Sequence, residues 1–185
     1  MSLADVLTAV ERAIGGRRSV AVIGAVARNA WAPPRATTDL DLTISAHHET
    51  LDAVDAVLRN LGYTAVRRQQ ADPSDPVPDI LIYRAEAAEP RQVDLLVAKN
   101  EFEEQVIARA ERVAIGPCDI PVASPEDLVV YKLLADRPRD REDVRAVLRT
   151  QARTVRVFDW SHVERWAAFW QIGERLDRLR ASLST

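Results

Sequence analysis

The sequence predicts an α/β (α+β) fold, with a mixed β-sheet flanked by helices and a helical C-terminal subdomain. Two observations carry this prediction. Through residues 1–122, short apolar or alternating segments typical of strands are interspersed with segments of helical periodicity. Residues 123–185 then show helical periodicity and helix-start signals only. The chain has 185 residues, 47% of them hydrophobic, which is enough for one core domain with a small helical appendage.

The N-terminal segments predict a helix, a strand and a second, short helix. Apolar residues at helical spacing predict the first helix over residues 3–14, which two glycines end. Residues 19–23 form a β-branched apolar run typical of a buried strand. Gly24 follows directly, and a helix-prone stretch over residues 25–31 must stop before Pro33 and Pro34.

The middle of the chain predicts most of the sheet. Asp39 to Ser45 alternate between polar and apolar residues, which predicts a strand with one apolar face and one acidic face. The remaining segments follow in order: a helix over 51–61, a strand over 63–67, a loop over 71–78, strands over 80–84 and 92–98, a helix over 102–110, and a hairpin formed by 113–115 and 120–122 around Gly116–Pro117.

The C-terminal segments predict three helices, over residues 125–136, 138–150 and 162–180. Ser124 precedes a proline and two acidic residues, which is a typical helix start. Ser161 with Glu164 has the spacing of a capping box for the last helix.

Composition excludes several classes of protein. A net charge of −3 does not indicate a bulk nucleic-acid coat, and a single cysteine excludes a disulfide framework. No apolar run approaches the roughly 20 residues that span a bilayer, and the N-terminus lacks the pattern of a signal peptide. We therefore expect a cytoplasmic protein without a membrane partner.

Three aspartates carry the clearest chemical signal. Asp39 and Asp41 are two residues apart on a predicted strand, so both point to the same face, roughly 6 to 7 Å apart along the strand. Strands disfavour aspartate, so a pair on one face needs a reason. Asp94 is flanked by apolar residues in another predicted strand. Carboxylates that converge in this way suit Mg²⁺ or Mn²⁺, which bind hard oxygen ligands together with phosphates.

Two sequence motifs resemble the nucleotidyltransferase superfamily, in particular the bacterial branch that includes the AbiEii-type toxins of toxin–antitoxin pairs. The first motif runs from Gly24 through a short helix to Arg35-x-Thr37-x-Asp39-x-Asp41. The second lies downstream, in the segment from Ser124 to Leu128 with Lys132, followed by Arg137 to Asp140 and Asp143. The resemblance covers roughly residues 18–150.

The resemblance implies a nucleotidyltransferase-type fold and a metal-dependent transfer of a nucleoside monophosphate from a nucleoside triphosphate to a hydroxyl. Asp39, Asp41 and Asp94 would be the catalytic and metal-binding residues, with Asp94 helping to activate the acceptor. The implied nucleotide-binding residues are Gly24, Ala25, Arg28, Thr38, Lys132 and Asp140. In this scheme Lys132 contacts the triphosphate, and Asp140 orients Lys132 or the acceptor.

Residue 25 departs from this pattern. The family usually has Gly or Ser there, whereas Ala25 places a methyl group where a phosphate should approach. This leaves an alternative open, a non-catalytic nucleotide-binding or protein-interaction module that keeps the fold. Several partners stay open as well: the acceptor could be a tRNA end, another RNA, a protein or a small molecule, and the helical tail could contact an antitoxin.

Overall fold

The computed structural model describes residues 2–16, 19–69, 78–115 and 118–183. In these residues the helices are α1 (Leu3–Ala13), α2 (Gly24–Trp31), α3 (His48–Asn60), α4 (Glu101–Ala108), α5 (Pro125–Ala135), α6 (Pro138–Gln151), α7 (Trp160–Phe169) and α8 (Gly173–Leu183). The strands are β1 (Val20–Ile23), β2 (Asp39–Ile44), β3 (Thr64–Gln69), β4 (Asp79–Arg84), β5 (Gln92–Val97), β6 (Glu111–Ile115) and β7 (Cys118–Val122). Two predicted features, the Gly116–Pro117 turn and all but one residue of the loop over 71–78, lie outside the described residues.

The strands form one mixed sheet in the order β3-β4-β5-β2-β1-β7-β6. The strands β2 and β5 at its centre run parallel to each other, as do β1 and β7, and the other neighbours are antiparallel. The predicted α/β fold with a mixed sheet and helices is therefore confirmed. Parallel pairing of β2 with β5 matters most, because it brings together two segments that are distant in sequence.

Residues divide into two compact units, Met1–Val26 with Ala36–Ala123, and Ala27–Arg35 with Ser124–Thr185. In the first unit, one face of the central strands is apolar, formed by Leu40, Leu42, Val93 and Leu95, all fully buried. Tyr83, on the same face of β4, donates a hydrogen bond of 3.0 Å to Asp55 of α3. The polar residues of β2 and β5 consequently point to the opposite face of the sheet.

The second unit contains α5 to α8 and the end of α2. Helix α5 packs against α6 and α7, and α7 packs against α8. A buried cluster ties α5 to α7: the Ser124 hydroxyl donates to one Asp127 oxygen at 2.6 Å, and His162 Nε2 lies 2.6 Å from the other. None of the described helices has both the length and the hydropathy needed to cross a membrane.

The single helix predicted over 162–180 is wrong, because the chain forms α7 and α8 with a break between them. Gln171 adopts a left-handed backbone with φ of 55°. The N–H of the buried Ile172 bonds back to the Ala167 carbonyl at 2.8 Å, which closes α7 with a Schellman-type arrangement. The predicted cap also differs, since Asp159 rather than Ser161 accepts the hydrogen bond at the start of α7.

Candidate active site

The sheet register brings two of the three predicted aspartates side by side. Asp41 of β2 is paired with Asp94 of β5 in the parallel ladder, and Asp39 is paired with Gln92. Residues paired across parallel strands, like residues two apart in one strand, project from the same face of the sheet. All three carboxylates therefore lie on the face opposite the apolar core, and each is partly exposed.

Gly24 approaches the site through its backbone. It has φ of 63°, and a Cβ atom built on it would lie 1.9 Å from Asp41 Oδ2 and 2.8 Å from Asp41 Cβ. Rotating the Asp41 side chain could relieve the first contact but not the second, because Cβ is fixed by the backbone of β2. Glycine is thus required here both by the positive φ and by the lack of space for a Cβ atom. As a result, α2 begins directly against the Asp41 carboxylate.

Asp94 is held by a short chain of hydrogen bonds. Arg84 Nε donates to Gln92 Oε1 at 2.9 Å, and Gln92 Nε2 donates to the two Asp94 oxygens at 2.9 and 3.1 Å. Burial raises the pKa of Asp94, the Gln92 hydrogen bond opposes the rise, and the negative charge of Asp39 adds to it. This electrostatic effect of Asp39 on Asp94 means that the two carboxylates interact across the strands.

Thr38 contacts Asp39 directly, since its hydroxyl donates to Asp39 Oδ1 at 3.1 Å. Thr38 and Asp39 also line an open cavity of about 590 Å³ in the first unit, together with Val26 of α2 and residues of the loop before β5. Asp39 therefore faces space in which a ligand of nucleotide size could lie beside the start of α2.

The donor set bears on metal binding. Within the described residues, no group of three or more His, Cys, Asp or Glu side chains converges closely enough to hold a metal ion by itself. Mg²⁺, however, is usually bound through one or two carboxylates, with waters and substrate phosphates completing its shell. Adjacent carboxylates at Asp41 and Asp94, beside a backbone that lacks a side chain at Gly24, fit a cation that arrives with a triphosphate.

Lys132 and Asp140 belong to a buried charged cluster of the second unit. The Lys132 ammonium donates to Asp140 Oδ1 at 2.8 Å and to Asp143 Oδ2 at 3.0 Å. Lys132 is 8% exposed, and both aspartates are 3% exposed or less. The implied orientation of Lys132 by Asp140 agrees with this contact, and Asp143 contributes equally.

Asp143 is the centre of this cluster. Arg35 donates to both Asp143 oxygens through Nε at 3.0 Å and Nη2 at 2.8 Å, and Arg28 Nε lies 3.2 Å from Asp143 Oδ1. Burial opposes ionisation of Asp143, but the hydrogen bonds from Arg35 and Lys132 outweigh it and lower the pKa of Asp143 to about 2. Arg28, expected to bind the nucleotide, also donates to the Pro33 carbonyl and so takes part in a structural network.

Sequence reasoning missed two residues that position others. Gln92 holds Asp94, and the only sequence signal was its place two residues earlier on the same strand face. Asp143 binds Lys132, Arg28 and Arg35, although the sequence assigns it only a place in a motif. Both act through other side chains, and their partners become visible only in three dimensions.

A family model decides the classification. Residues 16–153 match the family described as "Nucleotidyl transferase AbiEii toxin, Type IV TA system". The chain belongs to this family. The match spans most of the chain and includes Gly24, the three aspartates, Lys132 and Asp140, whereas α7 and α8 lie beyond it. The sequence-based resemblance to AbiEii-type nucleotidyltransferases is thereby confirmed.

Solved structures agree with a nucleotidyltransferase fold. The chain is similar to the crystal structure of ANT(2″)-Ia in complex with adenylyl-2″-tobramycin, with a TM-score of 0.55 and 17% identity, over 91% of this chain and 96% of that one. It is also similar to MenT4, a nucleotidyltransferase toxin from Mycobacterium tuberculosis H37Rv, with a TM-score of 0.52 and 19% identity, over 87% of this chain and 59% of that one. No curated protein matches the sequence significantly.

Proposed function

We propose that this AbiEii-family chain is a metal-dependent nucleotidyltransferase of a toxin–antitoxin pair, which transfers a nucleoside monophosphate from a nucleoside triphosphate to a hydroxyl acceptor. The observation that carries the proposal is the position of Asp41, in contact with the Gly24 backbone on one side and beside Asp94 on the other. A phosphate-binding backbone and a pair of cation ligands are thus adjacent, which is what phosphoryl-group chemistry needs.

Each residue has a role in this proposal. The N–H groups at the start of α2, including that of Ala25, bind the phosphates, because they point out of the helix N-terminus. Thr38 orients Asp39 through its hydroxyl. Asp94, held by Gln92, orients the acceptor hydroxyl and takes its proton as the oxygen attacks the α-phosphorus. The bond from the α-phosphorus to the bridging oxygen breaks, and pyrophosphate leaves.

In this scheme Asp39, Asp41 and Asp94 would hold Mg²⁺ or Mn²⁺ together with phosphate oxygens of the triphosphate, because the described carboxylates do not form a complete metal site by themselves. A divalent cation supplies charge stabilisation to the phosphate oxygens when it is bound. Lys132 and Asp140 keep their proposed roles in binding the triphosphate and orienting that lysine, and the buried pair between them fixes the direction of the ammonium. We propose only that the acceptor group is a hydroxyl, and RNA and protein are the classes of acceptor to be tested.

A second function is favoured by one observation, the methyl group of Ala25 at the proposed phosphate contact. If that methyl group keeps phosphate away, the chain is a non-catalytic module that binds a nucleotide or an antitoxin. The backbone N–H of Ala25 remains available in either case. The two functions therefore share the fold and differ in whether the nucleoside monophosphate is transferred.

The deciding experiment is calorimetric titration of each nucleoside triphosphate, with and without Mg²⁺, on the parent chain and on Ala25→Ser. We expect binding that requires Mg²⁺ and label transfer from an α-³²P nucleotide to an acceptor in total RNA or protein. Binding without transfer in the parent, and transfer restored by Ala25→Ser, would assign the non-catalytic function. No binding by either protein would contradict both.

A further inference from the structure

An arginine-lined pocket lies in the second unit. Of the residues that were given a role in nucleotide binding above, only Lys132 lines this pocket. Its volume is about 210 Å³, and α5, α6 and α8 form its wall. Among the described residues, four arginines line it, Arg141 and Arg145 of α6 and Arg175 and Arg178 of α8. The lining also includes the apolar residues Leu133, Val144 and Leu179.

A single lining carboxylate, that of Asp136, faces these four cations. Arg141 Nε donates to Asp136 Oδ1 at 2.7 Å, while Arg178 Nη2 and Arg175 Nε lie 3.4 and 3.7 Å from Asp136 Oδ2. The Arg141 hydrogen bond lowers the pKa of Asp136, so this carboxylate is ionised at neutral pH. One negative charge opposed to four positive charges leaves an excess of three positive charges on the lining, since the Lys132 ammonium is already bound by Asp140 and Asp143.

Arg145 is the part of this lining that protein contacts do not explain. In the described part of the chain, its guanidinium has no hydrogen-bond or ion-pair partner, although its side chain is partly buried. Arg175, by contrast, donates to the Leu133 and Leu134 carbonyls at 2.9 and 2.7 Å and so caps α5. The packing of α8 explains why Arg175 and Arg178 are in the lining. It does not explain Arg145, a further arginine that lines the same pocket.

We propose that this pocket is a binding site for the phosphate group of an organic phosphate. Guanidinium groups match phosphate oxygens with paired hydrogen bonds, and a phosphate dianion offsets more of the excess charge than a carboxylate does. The apolar lining residues suit the organic part of the ligand. Apart from Lys132, the pocket lining contains none of the residues to which the proposed transfer assigns a role, and Arg175 and Arg178 lie beyond the residues that match the family model.

The test compares three full-length proteins by calorimetry: the parent, Arg145→Ala and Arg149→Ala. Arg149 is on the same helix and is exposed, so its removal changes the net charge equally without touching the pocket lining. Inorganic phosphate at low millimolar concentration is the first probe, with chloride at matched ionic strength as the blank. We expect phosphate affinity to fall about 10- to 100-fold in Arg145→Ala, the loss of one charged hydrogen-bonding group, and to stay within about twofold in Arg149→Ala.

The source of the phosphate is distinguished by two further probes, adenosine monophosphate and a short RNA without terminal phosphates. If adenosine monophosphate binds more tightly than the RNA, the ligand is a small organic phosphate. If the RNA binds more tightly, the site binds backbone phosphates. In both cases the binding must weaken in Arg145→Ala. Equal weakening in both variants, or no phosphate binding by the parent, overturns the proposal. Arg145→Lys, which keeps the charge but not the fork, is the second variant and should bind with intermediate affinity.

Discussion

At the scale of single residues, the contact between Gly24 and Asp41 defines the candidate site. The left-handed backbone of Gly24 lets the start of α2 lie against the Asp41 carboxylate, where a side chain of any size would collide with it. The position of Asp41 and the path of the chain after β1 are therefore fixed together. A change at Gly24 should alter both stability and nucleotide binding.

We predict that Gly24→Ala lowers the free energy of unfolding by about 2 to 5 kcal/mol, the sum of a left-handed alanine and an overpacked contact. Gly62→Ala is the matched control, since Gly62 also has positive φ, 86°, but open space around its Cβ position. It should cost only about 1 to 2 kcal/mol. Urea denaturation of both variants measures the difference, and equal losses would show that contact with Asp41 is unimportant.

A second residue-scale prediction concerns Asp41→Asn. The amide keeps the shape of the side chain but removes an anionic ligand, so Mg²⁺-dependent nucleotide binding should weaken and transfer should fall by about 10²-fold or more. The melting temperature should stay unchanged or rise slightly, because the remaining carboxylates repel one another less. Asp177→Asn, an exposed aspartate of α8, is the control. A clear drop in melting temperature with unchanged nucleotide binding would assign Asp41 a structural role instead.

At the scale of elements, α4 places a carboxylate inside the first unit. Glu103 is 1% exposed on a helix that packs against β1 and β2, and burial raises the pKa of Glu103 to about 7. The folded chain thus holds this proton up to about pH 7, while the unfolded chain releases it near the ordinary value of 4.5. Between these values the folded state binds more protons, so the free energy of unfolding decreases as the pH rises.

We predict that Glu103→Gln raises the free energy of unfolding at pH 8 by up to about 3 kcal/mol and has little effect at pH 4. The amide imitates the protonated acid, which is the form the folded chain prefers. Glu104→Gln is the control, because Glu104 is the exposed neighbour on the same helix. Denaturation curves from pH 4 to pH 8 test the prediction, and a pH-independent effect would argue against it.

Elements with strong local signals could be predicted from the sequence. The alternation from Asp39 to Ser45 predicts β2 because each residue type matches the face on which it lies. The break between α7 and α8 could not be predicted in the same way. Helical periodicity continues through it, and Gln171, unlike glycine, gives no sign that it adopts a left-handed backbone.

At the scale of the whole molecule, the second unit is assembled from separate parts of the chain. Residues 27–35 join it, and Arg35 binds Asp143 across a separation of 108 residues. No local sequence pattern predicts such a distant ion pair. The sequence therefore places Arg35 in a motif but does not identify Asp143 as its partner. For the same reason, the position of Asp94 directly beside Asp41 is visible only in the register between β2 and β5.

We predict that Arg35→Lys lowers the free energy of unfolding by about 1 to 2 kcal/mol, because lysine keeps the charge but loses one of two charged hydrogen bonds to a buried carboxylate. Arg139→Lys, on an exposed position of α6, should leave stability within about 0.5 kcal/mol. Thermal unfolding of both variants gives the comparison. Equal stability of the two proteins would mean that the paired geometry at Asp143 contributes nothing.

The separation between Arg35 and Asp143 also sets an order of events during protein synthesis. Arg35 leaves the ribosome 108 residues before its partner, so the charged cluster can form only after Asp143, in the first half of α6, has also left the ribosome. Until then Arg28 and Arg35 remain without the carboxylate that neutralises them. Closing a loop of this length costs on the order of 4 kcal/mol in chain entropy. A nascent chain therefore carries Asp39, Asp41 and Asp94 before it can complete the charged cluster of the second unit.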